Sequence, residues 1–202
     1  MAIEAELKAV VRDPEGVLKT LEDRYGAGRA EVYRDTYYDA PDGSFMGADR
    51  ELRVRTVHGP DGTRTVLTYK GARVDEASGS KPEAETRVDD AEAVHEIVHG
   101  LGFTPRIAFE KQCRNYAFDQ DGRRLLATLV RVPEIDEVFI ELETTTADED
   151  DLGPALAVVR AVLASLGIAA EDLTTEQYTD AIAAARPQPS GTPRTRQRAY
   201  RR

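Results

Sequence analysis

The sequence predicts an α+β chain: a closed antiparallel β-barrel forming a tunnel with a charged lumen, covered on the outside by helices. Three observations predict it. Five segments alternate long ionisable side chains with apolar ones at the two-residue period of a strand, and pooled together those ionisable side chains balance in sign. Other stretches of the chain carry the apolar stripes of amphipathic helices.

The strands come first. Glu4, Glu6 and Lys8 share one face of an extended segment, and Ile3, Ala5 and Leu7 share the other. Arg53 and Arg55 alternate with Leu52 and Val54, and Thr68 and Lys70 with Leu67 and Tyr69. Lys81, Glu83, Glu85 and Arg87 share one parity, and Glu141 and Glu143 alternate with Ile140 and Leu142. One such strand is an ordinary solvated face. Five together supply six carboxylates (Glu4, Glu6, Glu83, Glu85, Glu141, Glu143) and six cations (Lys8, Arg53, Arg55, Lys70, Lys81, Arg87). Mixed-sign rows backed by apolar rows are economical when the sheet closes, charge inside and apolar face beneath helices. An unpaired buried charge costs several kcal/mol, so such a lumen is expected to hold divalent cations on its carboxylates and a polyanion on its Lys and Arg rows.

The helices follow from caps and stripes. Asp13 caps a helix with Pro14 at its first position and Val17, Leu18, Leu21 and Tyr25 as its apolar stripe. A second lies near Pro154, with Leu156, Val159, Leu163 and Leu166 inward and Gly167 as its stop. Thr174 with Gln177 forms a capping box for a last short helix through Ile182. Gly59-Pro60-Asp61-Gly62 is a hairpin turn that leaves His58 exposed, and Asp75 to Ser80 reads as a mobile loop between strands.

Composition narrows the function. The chain has 202 residues and a formal charge of −10. Positions 186–202 hold six Arg and no acid, so 1–185 carry 21 basic and 37 acidic side chains, a formal −16. The expected division is one domain over 1–185 and a basic, Pro/Arg-rich disordered tail over 186–202. An acidic body disfavours nucleic-acid binding. There is no apolar run of membrane-spanning length and no signal-peptide pattern, so no membrane partner and a cytoplasmic location are expected. The single cysteine, Cys113, fits a buried structural thiol in a reducing compartment.

His95-Glu96-Ile97-Val98-His99 is a literal H-E-x-x-H, a zinc-protease pattern when set on a helix. Val94, Ile97, Val98 and Leu101 supply that helix's core stripe, Gly100 ends it at once, and no later histidine follows as third ligand. Solvated helix histidines are the expectation.

The ordered motifs resemble one family. Glu4-x-Glu6-x-Lys8, Tyr37-Tyr38-Asp39, Leu52-Arg53-Val54-Arg55, Leu67-Thr68-Tyr69-Lys70-Gly71, Lys81-x-Glu83-x-Glu85, Lys111 to Arg114, Phe139 to Glu143 and Tyr178-Thr179-Asp180 run in the order of the CYTH, or triphosphate tunnel metalloenzyme, superfamily. The Leu67 to Gly71 stretch looks most like its class IV adenylate cyclase branch. The chain departs from the pattern in having Lys81 for Arg and Lys111-Gln112-Cys113-Arg114 for Lys-x-Arg. That spacing puts Lys111 and Arg114 on opposite faces of a regular strand, and Arg114 ranks as the lumen contact. Where relatives carry an acid shortly before the last strand, this chain has Thr128 or Asp136.

The resemblance implies Mg²⁺ or Mn²⁺ on Glu4, Glu6, Glu141 and Glu143. It implies a triphosphate held by Lys8, Arg53, Arg55, Lys70, Lys81, Glu83, Glu85, Arg87, Lys111 and Arg114, with Glu4, Glu6, Lys8, Arg53, Arg55 and Lys70 as the catalytic set. Conversion of ATP to cyclic AMP and pyrophosphate leads. Hydrolysis of inorganic, thiamine or nucleoside triphosphate is the alternative, and a polyphosphate-binding module without turnover is a third reading. The substrate class is accordingly ATP, tripolyphosphate or thiamine triphosphate, and a homodimer is left open.

Overall fold

Alternation along the first strand decides the architecture. In β1 (Ala2–Val10), Ile3, Ala5, Leu7 and Ala9 are all buried on one face, and Glu4, Glu6 and Lys8 line a cavity on the other. The structure, a computed structural model, describes residues 1–187. The expected tail therefore lies outside the described residues from position 188 onward.

The other strands are β2 (Arg29–Asp39), β3 (Glu51–Gly59), β4 (Gly62–Lys70), β5 (Lys81–Val88), β6 (Thr104–Gln120), β7 (Arg123–Arg131), β8 (Val138–Thr146) and β9 (Leu173–Thr174). Every pairing is antiparallel, and the order β5-β4-β3-β2-β6-β7-β8-β1 closes through β1–β5 into an eight-stranded barrel. The closing seam is short: Ala2, Ile3 and Glu4 face Glu83, Pro82 and Lys81. Farther along, Lys8 and Ala9 pair instead with Thr174 and Leu173 of β9. Tight turns set the register elsewhere. Asp121 and Gly122 both take positive φ, 50° and 76°, in the two-residue turn between β6 and β7, the conformation that twists a hairpin correctly.

Helices α1 (Pro14–Tyr25), α3 (Ala91–Gly100) and α4 (Leu152–Ser165) cover the apolar outside, and α2 (Ser44–Gly47) is a single turn. The Asp13 side chain caps α1 by accepting from Gly16 N, and Tyr25 stacks on Phe118 with ring centroids 3.8 Å apart. Val159 and Leu163 of α4 join Leu7, Ala9 and Leu142 in the largest apolar cluster. The last helix, α5 (Tyr178–Ala185), does something else. Its Tyr178 and Ile182 cluster with Ile107, Phe109, Val132 and Phe139, side chains on the inward parity, so α5 fills one end of the barrel with apolar groups.

Three expectations change. Val94 and Val98 are buried beneath α3, but Ile97 and Leu101 are 60% and 72% exposed, so only the Val94–Val98 row of the expected stripe meets the sheet. Thr174 is a β9 residue paired with Lys8; Gln177 is the α5 cap position and makes no side-chain cap. Arg186, assigned to the tail by composition, grips Glu134 at 2.7 Å and donates to the Ala108 carbonyl at 2.7 Å. The Asp75 to Ser80 stretch is a turn in which Ser78 N and Oγ both reach Asp75 Oδ1 at 2.7 Å. Among the described residues no helix is long and apolar enough to cross a membrane.

Candidate active site

The barrel encloses a cavity of about 270 Å³. Seven carboxylates and seven cations line it, the balance that strand alternation foretold, although the members differ. A lumen neutral overall binds a charged ligand only if its charges are segregated, and they are.

At one place three acids converge. Glu6 sits opposite Glu143 across β1–β8, and Glu4 lies two residues on, along the same face. One carboxylate oxygen from each of Glu4, Glu6 and Glu143 lies within 4.8 Å of the others. Burial raises the Glu4 pKa, but contact with Lys70 outweighs it and brings Glu4 down to about 2. Burial and the neighbouring Glu4 push Glu6 up to about 7. Burial, then Glu4 and Glu6, hold Glu143 well above the usual range. Three crowded carboxylates cannot all ionise unaided. Their oxygen-only donor set, with the Glu6 and Glu143 carboxyls both raised by burial and by the neighbouring acids, fits a hard divalent cation.

The fourth expected ligand stands apart. Glu141 is 3.3 Å from Lys111 Nζ, and although burial raises its pKa, Lys111 and Lys8 pull it lower. The structure thus brings together three of the four proposed metal ligands and gives Glu141 to the lysines. Thr128 lines the cavity but donates to Asn115 Oδ1 at 2.9 Å, and the third acid of the cluster is Glu143.

The cations divide by how far they are already committed. Lys70 contacts Glu4 and lies 3.1 Å from Glu83 and 3.9 Å from Glu6. Arg55 makes a two-pronged pair with Asp35 at 2.6 and 2.7 Å, with the Tyr33 ring 4.5 Å from its guanidinium carbon. Burial raises the Asp35 pKa, and the stronger attraction of Arg55 brings it down to about 2. Lys81 is held by Glu51 at 2.7 Å and Asp49 at 2.9 Å. Arg53 differs: Nη2 meets Thr68 Oγ1 at 3.1 Å and Glu85 at 3.8 Å, while its buried Nε has no partner. Such an orphaned buried donor, on a side chain that lines the cavity, is one that a phosphate oxygen can satisfy.

Two proposed contacts lie elsewhere. Arg114 points outward and pairs with Glu22 of α1 at 2.7 Å, whereas Lys111 is buried in the lumen. Only one of the two faces inward, and it is Lys111 rather than Arg114, because the phase along β6 is set by Ile107, Phe109 and Cys113, which share the Lys111 side. Arg87 is exposed near the open end of β5 and does not line the cavity. Conversely, Glu51, Arg64 and Tyr178 line it and Asp35 anchors Arg55 without having been singled out as site residues. Glu51 continues the parity of Arg53 and Arg55; Asp35 was hidden because Tyr33 and Tyr37 share its inward face. Cys113 is buried, its thiol pushed up to about 12 by burial, and inert. His95 Nδ1 hydrogen-bonds the Tyr38 hydroxyl and His99 is exposed, and among the described residues the three-carboxylate group alone has metal-binding spacing.

The CYTH domain profile matches residues 2–178, nearly the whole described chain. The chain belongs to the CYTH domain family. CYTH proteins are metal-using enzymes that act on triphosphates, as cyclases or triphosphatases. This CYTH chain is 25% identical over 179 residues to a Methanocaldococcus jannaschii protein provisionally named an adenylate cyclase, MJ0240, covering 88% of this chain and 97% of that one. The solved structure of PH1819 from Pyrococcus horikoshii is similar at a TM-score of 0.78 and 26% identity, over 91% of this chain and 99% of that one. HpAC1 from Hippeastrum, named for an adenylyl cyclase and described with a dominant triphosphatase activity, shares the fold at a TM-score of 0.63 and 14% identity, over 94% of this chain and 98% of that one.

Proposed function

We propose that this CYTH protein cleaves a triphosphate held in its tunnel, with hydrolysis as the reaction the geometry supports best. The observation that carries the reading is the juxtaposition of the Glu4, Glu6 and Glu143 carboxylates with an unpartnered Arg53 Nε in one buried cavity. Mg²⁺ or Mn²⁺ on those carboxylates supplies a hard Lewis acid that neutralises phosphate charge. The chain's own groups do the rest. Arg53 donates to the incoming phosphate oxygens, Lys8 and Lys111 place two further ammonium groups along the same lumen, and Lys70 stands between the acidic cluster and the polyanion. Arg55, already balanced by Asp35, holds the wall rigid. The cavity volume lies just below the roughly 300 Å³ at which sites that enclose drug-sized ligands begin, and its walls are mostly polar, which favours a compact triphosphate.

Cyclisation of ATP is the second reading. Val57, Val66 and Leu126 add an aliphatic patch to the otherwise polar lining, a surface with which a nucleoside can make contact, and the M. jannaschii relative carries a cyclase name. Incubating purified protein with ATP, tripolyphosphate and thiamine triphosphate, each with Mg²⁺ or Mn²⁺, separates them. Orthophosphate supports hydrolysis, cyclic AMP with pyrophosphate supports cyclisation, and absence of turnover with all three defeats both.

A further inference from the structure

Tyr178 is the first residue of α5 and the point at which this helix enters the lumen. Two ammonium groups meet its ring: Lys8 Nζ lies 4.4 Å from the ring centroid and Lys111 Nζ 4.6 Å. They come from β1 and β6, strands that are not neighbours in the barrel. The Tyr178 ring is itself fixed edge-on to Phe139, with centroids 5.3 Å apart. Lys8 Nζ also donates to the backbone carbonyl of Glu176, two residues before Tyr178, so the entry to α5 engages this lysine twice. The buried Tyr178 hydroxyl is turned toward the Glu141 carboxylate, which itself lies 3.3 Å from Lys111 Nζ.

Two like charges brought together in a barrel repel, and each lysine loses rotamer freedom on being held. The electron-rich face of an aromatic ring attracts an ammonium group within about 6 Å of its centroid, most strongly where water is excluded. We propose that Tyr178 is a positioning residue whose ring gathers Lys8 and Lys111 into one paired cation aimed at a single phosphoryl group. The proposal rests on the triphosphate reading above and adds to it: the helix that fills one end of the barrel completes the polyanion site, through the face of an aromatic ring.

The test uses the full chain. The protein has only five lysines, so in a ¹³C-labelled sample the ε-methylene signals of Lys8 and Lys111, assigned with Lys8→Arg and Lys111→Arg, can be compared with the other three. Both are expected upfield, shifted by the ring. Tyr178→Phe, which keeps the ring, is expected to keep those shifts and to raise the KM for tripolyphosphate far less than the loss of the ring does. Tyr178→Leu is expected to lose the shifts and raise KM about tenfold, the equivalent of about 1.4 kcal/mol, with kcat changed far less. Unshifted lysine signals in the wild type would overturn the proposal, and they decide it even if Tyr178→Leu does not fold. Equal damage from Phe and Leu would overturn it by making the hydroxyl the active group, and so would a Leu variant indistinguishable from wild type. If the wild type turned over no triphosphate, the reading under Proposed function would fall, while calorimetric titration of tripolyphosphate into wild type and the two variants would still decide whether Tyr178 assembles an anion site.

Discussion

Glu6 and Glu143 stand directly opposite each other across the β1–β8 pair, on the same inward face. Like charges so placed destabilise a sheet. The barrel tolerates them because Lys70 is near Glu6 and because both carboxyls are raised above the ordinary range, Glu6 to about 7, which eases their ionic repulsion.

Removing one of these acids should therefore separate activity from stability. Glu6→Gln is expected to lower turnover at least about 100-fold, since a neutral amide is a poor ligand for a hard cation. The same variant should melt at a higher temperature than metal-free wild type at pH 8, because it no longer needs to ionise a crowded carboxyl. Paired turnover assays and thermal melts check it; a variant that retains activity sinks the metal assignment.

The pH dependence has a definite sign. The folded Glu6 carboxyl titrates at about 7, above its ordinary 4.5, so the protonated form is favoured by folding. That stabilisation is fully present below about pH 4.5 and is lost as pH rises through about 7. Metal-free protein should melt lower at pH 8 than at pH 5. Added Mn²⁺ should raise the melting temperature more at pH 8, where Glu6 has already shed its proton. Equal shifts at both pH values would contradict a proton-linked cation site.

The two central arginines should fail in different ways. Arg53→Gln is expected to weaken binding of tripolyphosphate and ATP alike by at least about tenfold, measured by calorimetry. Arg55→Ala leaves Asp35 buried without its partner and should lower stability by about 3–5 kcal/mol. Replacing Asp35 and Arg55 together by leucine should recover most of that loss, as denaturant melts can show.

The phase of β6 gives a direct comparison. Lys111→Ala should raise the KM for tripolyphosphate, while Arg114→Ala, which removes only the surface pair with Glu22, should change neither KM nor kcat and should shift stability by about 1 kcal/mol or less. The reverse pattern would mean that β6 is inverted.

These contrasts also show what a reader of the sequence can recover. Glu4, Glu6, Arg53, Arg55, Lys70 and Glu143 announce themselves because long charged side chains at a two-residue period have no apolar explanation. In β6 the period is equally clear, but Lys111 and Arg114 fall on opposite parities, and the choice between them depends on which row of Ile107, Phe109 and Cys113 meets α5 across the barrel end, a contact between segments about seventy residues apart. Asp35 and Tyr178 were obscured for the opposite reason. Tyrosines on an inward face look like core, and only the closed structure places cations against their rings.

The three-residue seam between β1 and β5 has its own consequence. Lys70 touches Glu4 on one side of that seam and Glu83 on the other, so it acts as a rivet where the backbone hoop is thinnest. Lys8 and Lys111 lie away from the three seam pairs, on walls with long ladders, eight pairs for β1–β8 and eleven for β2–β6. Ligand preference can therefore drift by substitution at those two positions without loosening the hoop, whereas any change at Lys70 alters the chemistry and the closure together, and mutational paths through that position are barred unless a second change elsewhere refastens the seam.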